Sequence, residues 1–199
     1  MRKKPQAEVY QLKREILGDY EKLSEIGLID LYYGDEAGVS LEPNVPYGWQ
    51  FGDEEVSMPA GKGAGTNCFG LFTRDNRSLT ATSEQTITAA FVVEQLERFS
   101  FGIKKLTVVV LDNARIHTGK KMIERREYWE RRGLFVFYLP KYSPHLNIAE
   151  TVWRKLKYEW LAPEDYESKE LLQYAVKQAL NGFGTNQKIR FSRYKLSSA

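Results

Sequence analysis

Cysteine and long apolar runs are scarce in this sequence, and each scarcity excludes a class of protein. Cys68 is the one cysteine among 199 residues, which rules out an internal disulfide and a multi-cysteine zinc site. The longest purely apolar stretches are a few residues, such as 108–111, so we expect no transmembrane helix and no membrane partner. The basic residues 1–5 lead into a mixed segment instead of a hydrophobic signal core, which argues against export. These features predict a cytoplasmic protein.

Composition is that of an ordinary folded domain. Hydrophobic residues make up 42% and charged residues 28%, within the range of globular proteins. A chain of this length fits one domain with a short appendage at most, and it is long enough to bury a sizeable core.

The net charge of +3 hides an uneven distribution. Residues 30–100 hold 11 acidic against 4 basic residues, residues 104–132 hold 9 basic against 4 acidic, and residues 151–199 hold 9 against 5. The basic half is a candidate surface for a polyanion, although charge alone suits solvated helix faces at least as well. The side chains expected to neutralise phosphates are Lys104, Lys105, Lys120, Lys121, Arg125, Arg126, Arg154, Lys155 and Lys157.

Spacing and composition predict alternating strands and helices. We expect helices over residues 5–28, 86–99, 118–132, from 147 onward, and 168–180. We expect strands over residues 28–35, 47–51, 68–73, 106–111 and 134–139, with a hairpin turn at 75–76 and a further extended segment at 79–82. The runs 106–111 and 134–139 lack alternation, which indicates burial on both faces. The glycine-rich residues 61–67 lack Walker spacing and are interpreted as a flexible turn.

The order of these elements predicts an α/β fold, a mixed five-stranded sheet flanked by helices, because antiparallel strands come first and parallel crossovers follow. The arrangement resembles RNase H-like domains. We divide the chain into an N-terminal helical segment (1–27), the RNase H-like domain (28–182) and a basic C-terminal tail (183–199).

Three acidic residues stand where such a sheet would bring them together. Asp35 is predicted to end the first strand, Asp112 to end the central buried strand, and Glu150 to lie in the first turn of a helix. Ligands of open α/β sheets gather at the carboxyl ends of the strands. Carboxylate oxygens are the ligands that Mg²⁺ prefers, and two such ions roughly 4 Å apart suit phosphoryl transfer. The three acids are candidate catalytic residues and metal ligands.

Each acid also has a purely structural interpretation. Asp35 suits a turn before Gly38, Asp112 suits a capped turn at a strand end, and residues 147–150 suit a helix N-cap with an acid at the third position. Glu36 points to the opposite face of the strand from Asp35, so only one of the two can enter the site. Taken singly, the structural and functional interpretations are evenly balanced.

The surrounding sequences resemble a known family. Two signature blocks of the DDE transposase superfamily, bacterial insertion-sequence branch related to mariner elements, are closely similar to residues 111–117 (LDNARIH) and 139–157 (LPKYSPHLNIAETVWRKLK). The block around the family's first aspartate is similar to residues 33–38 (YGDEAG). The resemblance spans about residues 28–180. It departs at His145, where an acid is common, and at residues 148–149, which replace Pro-Ile; neither change removes a ligand.

The resemblance implies a catalytic domain that cleaves transposon ends and joins the 3′ hydroxyl to target DNA. It implies that Asp35, Asp112 and Glu150 bind Mg²⁺ or Mn²⁺, with two ions at the site. It further implies a bacterial, nucleoid-associated protein that acts as a homo-oligomer on DNA. The alternatives are an RNase H-like nuclease without strand transfer and a non-catalytic, domesticated DNA-binding domain.

Neighbours of the acids are candidate DNA contacts. Asn113 and His117 flank the second aspartate and can position a phosphate or water, although His117 equally suits a satisfied polar residue at a helix start. The remaining candidates follow Glu150 at about one and two helical turns, namely Arg154, Lys155 and Lys157.

Base-specific recognition is expected from elsewhere. Members of the resembling family carry helix-turn-helix modules before the catalytic domain, whereas about 28 residues precede the first predicted strand here. We expect a separate helix-turn-helix subunit or upstream product to read the terminal repeats.

Overall fold

The computed structural model describes residues 7–42 and 65–194. The strand predicted at residues 47–51 and most of the glycine-rich turn at 61–67 lie outside the described residues. Within the described part, no helix is long and apolar enough to cross a membrane.

Helices and strands alternate through the described chain. The strands are β1 (Asp30–Ser40), β2 (Gly65–Phe72), β3 (Ser78–Ser83), β4 (Thr107–Leu111) and β5 (Leu134–Tyr138). The helices are α1 (Ala7–Glu25), α2 (Ala89–Gly102), α3 (Arg115–Thr118), α4 (Lys120–Arg131), α5 (Ala149–Lys155) and α6 (Lys169–Asn181). A π-helical turn, Leu156–Trp160, continues α5, and 3₁₀ turns cover Pro144–Leu146 and Pro163–Tyr166.

The strands form one mixed sheet in the order β3-β2-β1-β4-β5, which confirms the predicted five-stranded sheet. β1 and β2, and likewise β2 and β3, are antiparallel. β4 is parallel to both β1 and β5. The first three strands are joined locally, whereas the parallel strands need the helical crossovers that α2 and α4 provide.

Alternate side chains of the strands enter two cores. On one face, Val109 and Leu111 pack with Trp129 of α4 and Leu96 of α2. On the other face, Tyr33 packs against α1. The later residues of β1, together with β2, pack against α5 and α6. Helices therefore cover both faces of the sheet, as the continuous apolar runs predict.

The first strand is longer than predicted. Residues 33–40 of β1 pair with residues 65–72 of β2, so β1 continues to Ser40. Asp35 therefore lies within β1 and not at its end, which corrects the sequence prediction. The interpretation of Asp35 as a turn residue is wrong for the same reason.

The helix after Asp112 is broken in two. One helix was predicted from about residue 118, but α3 begins at Arg115 and α4 at Lys120, with Gly119 in extended conformation between them. The short α3 brings His117 back toward β4. The hairpin turn predicted at 75–76 is confirmed, with Asn76 at a φ of 64°.

Both predicted end segments contact the domain. Leu17 of α1 is buried, and Glu21 accepts hydrogen bonds from Tyr33 and from Arg74, the latter at 2.7 Å. In residues 183–194, the Ile189 backbone exchanges two hydrogen bonds with the Asn76 side chain at 2.7 and 3.0 Å. Residues 183–194 thus lie against the β2–β3 hairpin.

Candidate active site

Strand register explains how Asp35 and Asp112 meet. The last parallel pair between β1 and β4 is Tyr33 opposite Val110, and each aspartate lies two residues beyond its member of that pair. Adjacent strands are about 4.8 Å apart, so the two aspartates lie at the same level of neighbouring strands. Both line one cleft of ≈ 570 Å³ together with Glu150.

Glu150 reaches the cleft from a different direction. It lies in the first turn of α5 and is exposed. Asn147, just before the helix, donates a hydrogen bond to the Gly34 carbonyl at 3.0 Å and accepts one from the Ala149 amide at 3.1 Å. The start of α5 is thereby tied to β1 beside Asp35.

The electrostatics of Asp35 reflect this crowding. Burial, the largest cause, and the negative charges of Glu36, Glu150 and Asp112 together raise the pKa of its carboxyl from 3.8 to about 8. Desolvation and like charges both disfavour the ionised form of a carboxyl group. A cation in the cleft would relieve both effects.

The pKa of Asp112 moves in the other direction. Burial would raise it, but hydrogen bonds from His117 and from the Ala114 amide lower it below its ordinary value. The two aspartates therefore differ in protonation at neutral pH, with Asp112 ionised.

His117 lies behind the cleft with no exposed surface, as its interpretation as a satisfied polar residue at a helix start predicts, and its contact with DNA stays a prediction. Its side chain is fully buried. Nδ1 lies 2.7 Å from Asp112 Oδ1, and Nε2 lies 3.1 Å from Glu36 Oε2, a charge contact and not an aligned hydrogen bond. Burial alone would lower the pKa of His117, but its contacts with Asp112 and Glu36 raise it to about 9.

Asn113 has a structural partner. Its side-chain amide donates a hydrogen bond to the Leu139 carbonyl, so it joins the loop after β4 to the loop after β5. The residue still lines the cleft. Contact between Asn113 and DNA stays a prediction.

The three basic residues after Glu150 lie outside the cleft lining. Arg154 is exposed, Lys155 forms an ion pair with Glu159, and Lys157 is half-buried within the π-helical turn. Their contact with DNA also stays a prediction.

Two cations at the cleft were missed by the sequence analysis. Arg115 and Lys141 line the cleft, are exposed, and form no ion pair within the described residues. Both follow the carboxyl end of a parallel strand, Arg115 after β4 and Lys141 after β5. That position was the signal that could have identified them.

Most cations of α4 are already paired. Lys120, Arg126 and Arg131 form ion pairs with glutamates one turn away on the same helix, and Arg125 pairs with Glu97 of α2. Exposed pairs of this kind are weak, but they lower the net charge that the helix presents to a polyanion. Contact between α4 and phosphates stays a prediction.

Tyr142 has an unusual backbone at the cleft rim. Its φ is 59°, in the left-handed region that non-glycine residues seldom adopt, and 59% of the residue is exposed. It lines the cleft between Lys141 and Ser143. Such conformations persist where the surrounding structure holds them, commonly at functional sites.

The donor set suits a hard divalent ion. Three carboxylates line the cleft, which is the oxygen ligand chemistry of Mg²⁺ and Mn²⁺. As the side chains stand, no three His, Cys, Asp or Glu residues in the described ranges converge closely enough to hold a metal ion. Ligation by all three acids therefore requires side-chain rotation, which is easiest for the exposed Glu150.

Comparison with family models gives one match. Residues 30–173, most of the chain, match the model described as DDE superfamily endonuclease. A comparison with curated proteins found no match.

Solved structures share the fold. The Mos1 strand transfer complex aligns at a TM-score of 0.51 and 16% identity, over 91% of this chain and 62% of that chain. A Mos1 transposase paired-end complex with left transposon end aligns at a TM-score of 0.52 and 16% identity, over 87% of this chain and 58% of that chain. The catalytic core domain of BIV integrase aligns at a TM-score of 0.51 and 16% identity, over 79% of this chain and 85% of that chain.

At these identities the likeness shows the fold, the RNase H-like core of integrases and transposases. The chain spans only 62% and 58% of the two Mos1 chains.

Proposed function

Because the chain belongs to the DDE superfamily of endonucleases, we propose that it is the catalytic domain of a cut-and-paste DNA transposase. The observation that carries the proposal is the shared cleft of Asp35, Asp112 and Glu150 beside the parallel strands. Their order along the chain, two aspartates on adjacent strands and a glutamate on a later helix, fits an Asp-Asp-Glu triad.

In this proposal the three acids hold one or two divalent ions. Enzymes of this superfamily use divalent metals. Ions bound there supply Lewis-acid activation of the attacking oxygen and stabilise charge on the leaving oxygen. Asp112, whose pKa is lowered, is an ionised ligand at neutral pH. Asp35, whose pKa is raised, must lose its proton to bind the metal as a carboxylate.

Two exchanges at phosphorus follow. In cleavage, a water oxygen attacks the phosphorus at the transposon end, and the bond to the 3′ oxygen breaks, which leaves a free 3′ hydroxyl. In strand transfer, that hydroxyl loses its proton and attacks a target phosphorus, and the target's own 3′ oxygen departs. Each step forms one P–O bond and breaks one, so strand transfer needs no added energy source.

The chain's cations orient the DNA in this scheme. Arg115 and Lys141 flank the acids and lie free to contact phosphates on either side of the reacting one. Such contacts position a duplex without reading its sequence. One matched structure is a Mos1 strand transfer complex, and another is a Mos1 transposase paired-end complex with left transposon end. We extend to this chain the binding of DNA ends and target, assembly as a homo-oligomer on DNA, and sequence reading by a separate helix-turn-helix unit.

A strand-transfer assay tests the proposal. A labelled duplex with a recessed 3′ hydroxyl would be incubated with supercoiled plasmid and Mn²⁺, with Asp112→Asn as the matched inactive control. We expect labelled duplex joined to plasmid with the wild-type chain and none with the variant. Plasmid nicking without joining would identify a nuclease instead, and neither product, with binding of the duplex retained in a gel-shift assay, would identify a domain that binds DNA without catalysis.

A further inference from the structure

One buried histidine stands behind the candidate active site with a carboxylate at each ring nitrogen. His117 is 0% exposed, although it lies on the four-residue helix α3 directly after Asp112. Nδ1 is 2.7 Å from Asp112 Oδ1, and Nε2 is 3.1 Å from Glu36 Oε2. A buried polar ring needs such partners, but a structural role alone does not require that one of them be a candidate metal ligand.

We propose that His117 is a positioning residue that fixes the carboxylate of Asp112 for metal binding, with Glu36 holding the ring from behind. The inference rests on the proposed function, since it assigns Asp112 as a ligand. His117 itself touches neither the substrate nor the metal.

The hydrogen bonds of Asp112 divide its two oxygens. Oδ1 receives both the His117 ring and the Ala114 amide, the latter at 2.8 Å. The Asp112 side chain is nevertheless 51% exposed and lines the cleft, so its other oxygen remains available to a ligand there. Two contacts on Oδ1 thus hold the carboxylate in one orientation, which restricts its rotation before a metal arrives.

The alternation of side chains along β1 explains why Glu36 contacts His117 and not the cleft. Consecutive strand residues point to opposite faces, so Asp35 enters the cleft while Glu36 passes behind it to His117. The position of α3 is fixed independently, because the Tyr138 hydroxyl donates a hydrogen bond to the His117 carbonyl at 2.6 Å. Two neighbouring acids of one strand therefore serve the site differently, one as a ligand and one as support.

A pair of amide substitutions separates the two ring nitrogens. The side-chain nitrogen of Asn is as many bonds from Cα as Nδ1, and that of Gln is as many as Nε2. His117→Asn therefore keeps a donor for Asp112 but no longer reaches Glu36, whereas His117→Gln does the reverse. Both remove the same buried ring, so each serves as the other's packing control.

The measurement is Mn²⁺ affinity of the whole chain by calorimetric titration, alongside the melting temperature without metal. We expect His117→Asn, which loses the Glu36 contact, to bind Mn²⁺ about threefold to tenfold more weakly than wild type. His117→Gln, which loses the donor to Asp112, should bind about tenfold or more weakly than His117→Asn. Equal affinities in the two variants, at comparable melting temperatures, would overturn the proposal.

Two further comparisons keep the test decisive. If either histidine variant fails to fold, the Glu36 variants are measured instead. Glu36→Met should weaken Mn²⁺ binding about threefold to tenfold, whereas Glu36→Gln, which retains an acceptor, should bind like wild type. Equal effects of the two substitutions would overturn the proposal. Asp112→Asn distinguishes the two levels of inference. If it leaves Mn²⁺ affinity unchanged, the proposed metal site itself fails, independently of any difference among the His117 variants.

Discussion

The side-chain amide of Asn147 donates a hydrogen bond to the backbone carbonyl of Gly34, the residue before Asp35, at 3.0 Å. This buried contact joins residues 113 positions apart and ties the helix that carries Glu150 to the strand that carries Asp35. A single side chain thus links two of the three candidate ligands. The same side chain also accepts a hydrogen bond from Ala149 at the helix start.

Asn147→Ala should therefore damage the site more than the fold. The substitution removes two hydrogen bonds and leaves buried groups unpaired, a cost of about 1–3 kcal/mol in unfolding free energy. Without the link, Glu150 loses its fixed position relative to Asp35, and we expect Mn²⁺-dependent cleavage to fall at least about tenfold under conditions where the variant is still folded. Chemical denaturation and a cleavage assay on the same preparation measure the two effects. Cleavage that falls no further than the folded fraction would contradict this account.

The raised pKa of Asp35 predicts a pH-dependent stability difference. Its pKa is about 8 in the folded protein and near 3.8 in an unfolded chain, so the stability that its neutral form contributes is complete below about pH 4 and is lost as the pH rises through 8. Asp35→Asn is neutral throughout. In EDTA, the melting temperature of Asp35→Asn minus that of wild type should therefore increase by several degrees between pH 5 and pH 8. For a protein of this size, 1 kcal/mol of stability corresponds to roughly 2–4 °C in melting temperature.

Divalent ions provide the control for that measurement. Because a bound cation stabilises the ionised carboxylate, added Mg²⁺ should raise the melting temperature of wild type more than that of Asp35→Asn. A melting-temperature difference that is independent of both pH and Mg²⁺ would show that Asp35 is not in the crowded acidic environment described above.

DNA affinity should depend on the cations of the cleft and not on those of α4. The double variant Arg115→Glu/Lys141→Glu should bind a scrambled duplex more weakly and show a slope of log affinity against log salt smaller by about 2, because each neutralised phosphate contributes about 0.9 to that slope. Arg126→Glu/Arg131→Glu is the matched control, since it makes the same charge change at residues already paired on their own helix. Fluorescence anisotropy over a salt series gives both slopes. Equal weakening of binding in the two variants would place the DNA-binding surface elsewhere.

Tyr142 offers a test in which stability and function should separate. Left-handed backbone costs a non-glycine residue of order 1 kcal/mol, and Asn tolerates it better than Tyr does. Tyr142→Asn should thus be at least as stable as wild type in chemical denaturation, yet cleave DNA less well because the exposed ring at the cleft is gone. Tyr142→Phe should retain cleavage. Wild-type cleavage by Tyr142→Asn would show that the ring makes no contact with substrate.

Local sequence patterns predict the strands whose own residues form a continuous apolar run. The continuous apolar run before Asp112 identifies β4 as a buried strand, and a buried parallel strand places its next residue at the ligand edge of the sheet. Asp35 was misplaced at a strand end because the extension of β1 depends on pairing with residues 65–72, a partner that no local pattern specifies.

The surroundings of His117 illustrate the same limit. His117 contacts Glu36, which lies on a strand far away in the sequence, and it precedes the break at Gly119 that separates α3 from α4. Neither feature has a local signal in the sequence. A different lesson comes from α4. Its glutamates stand four residues from Lys120, Arg126 and Arg131, a spacing visible in the sequence that predicts the observed ion pairs.

The central claim is that Asp35, Asp112 and Glu150 together form the metal-dependent catalytic site. The most direct test is the rate of Mn²⁺-dependent DNA cleavage by Asp35→Asn, Asp112→Asn and Glu150→Gln, with Glu159→Gln, an exposed acid further along the same helical segment, as control. We expect each of the three to lower the rate by about a thousandfold or more, with circular dichroism spectra like wild type, and the control to cleave normally. Near-wild-type cleavage by any of the three would contradict the claim for that residue.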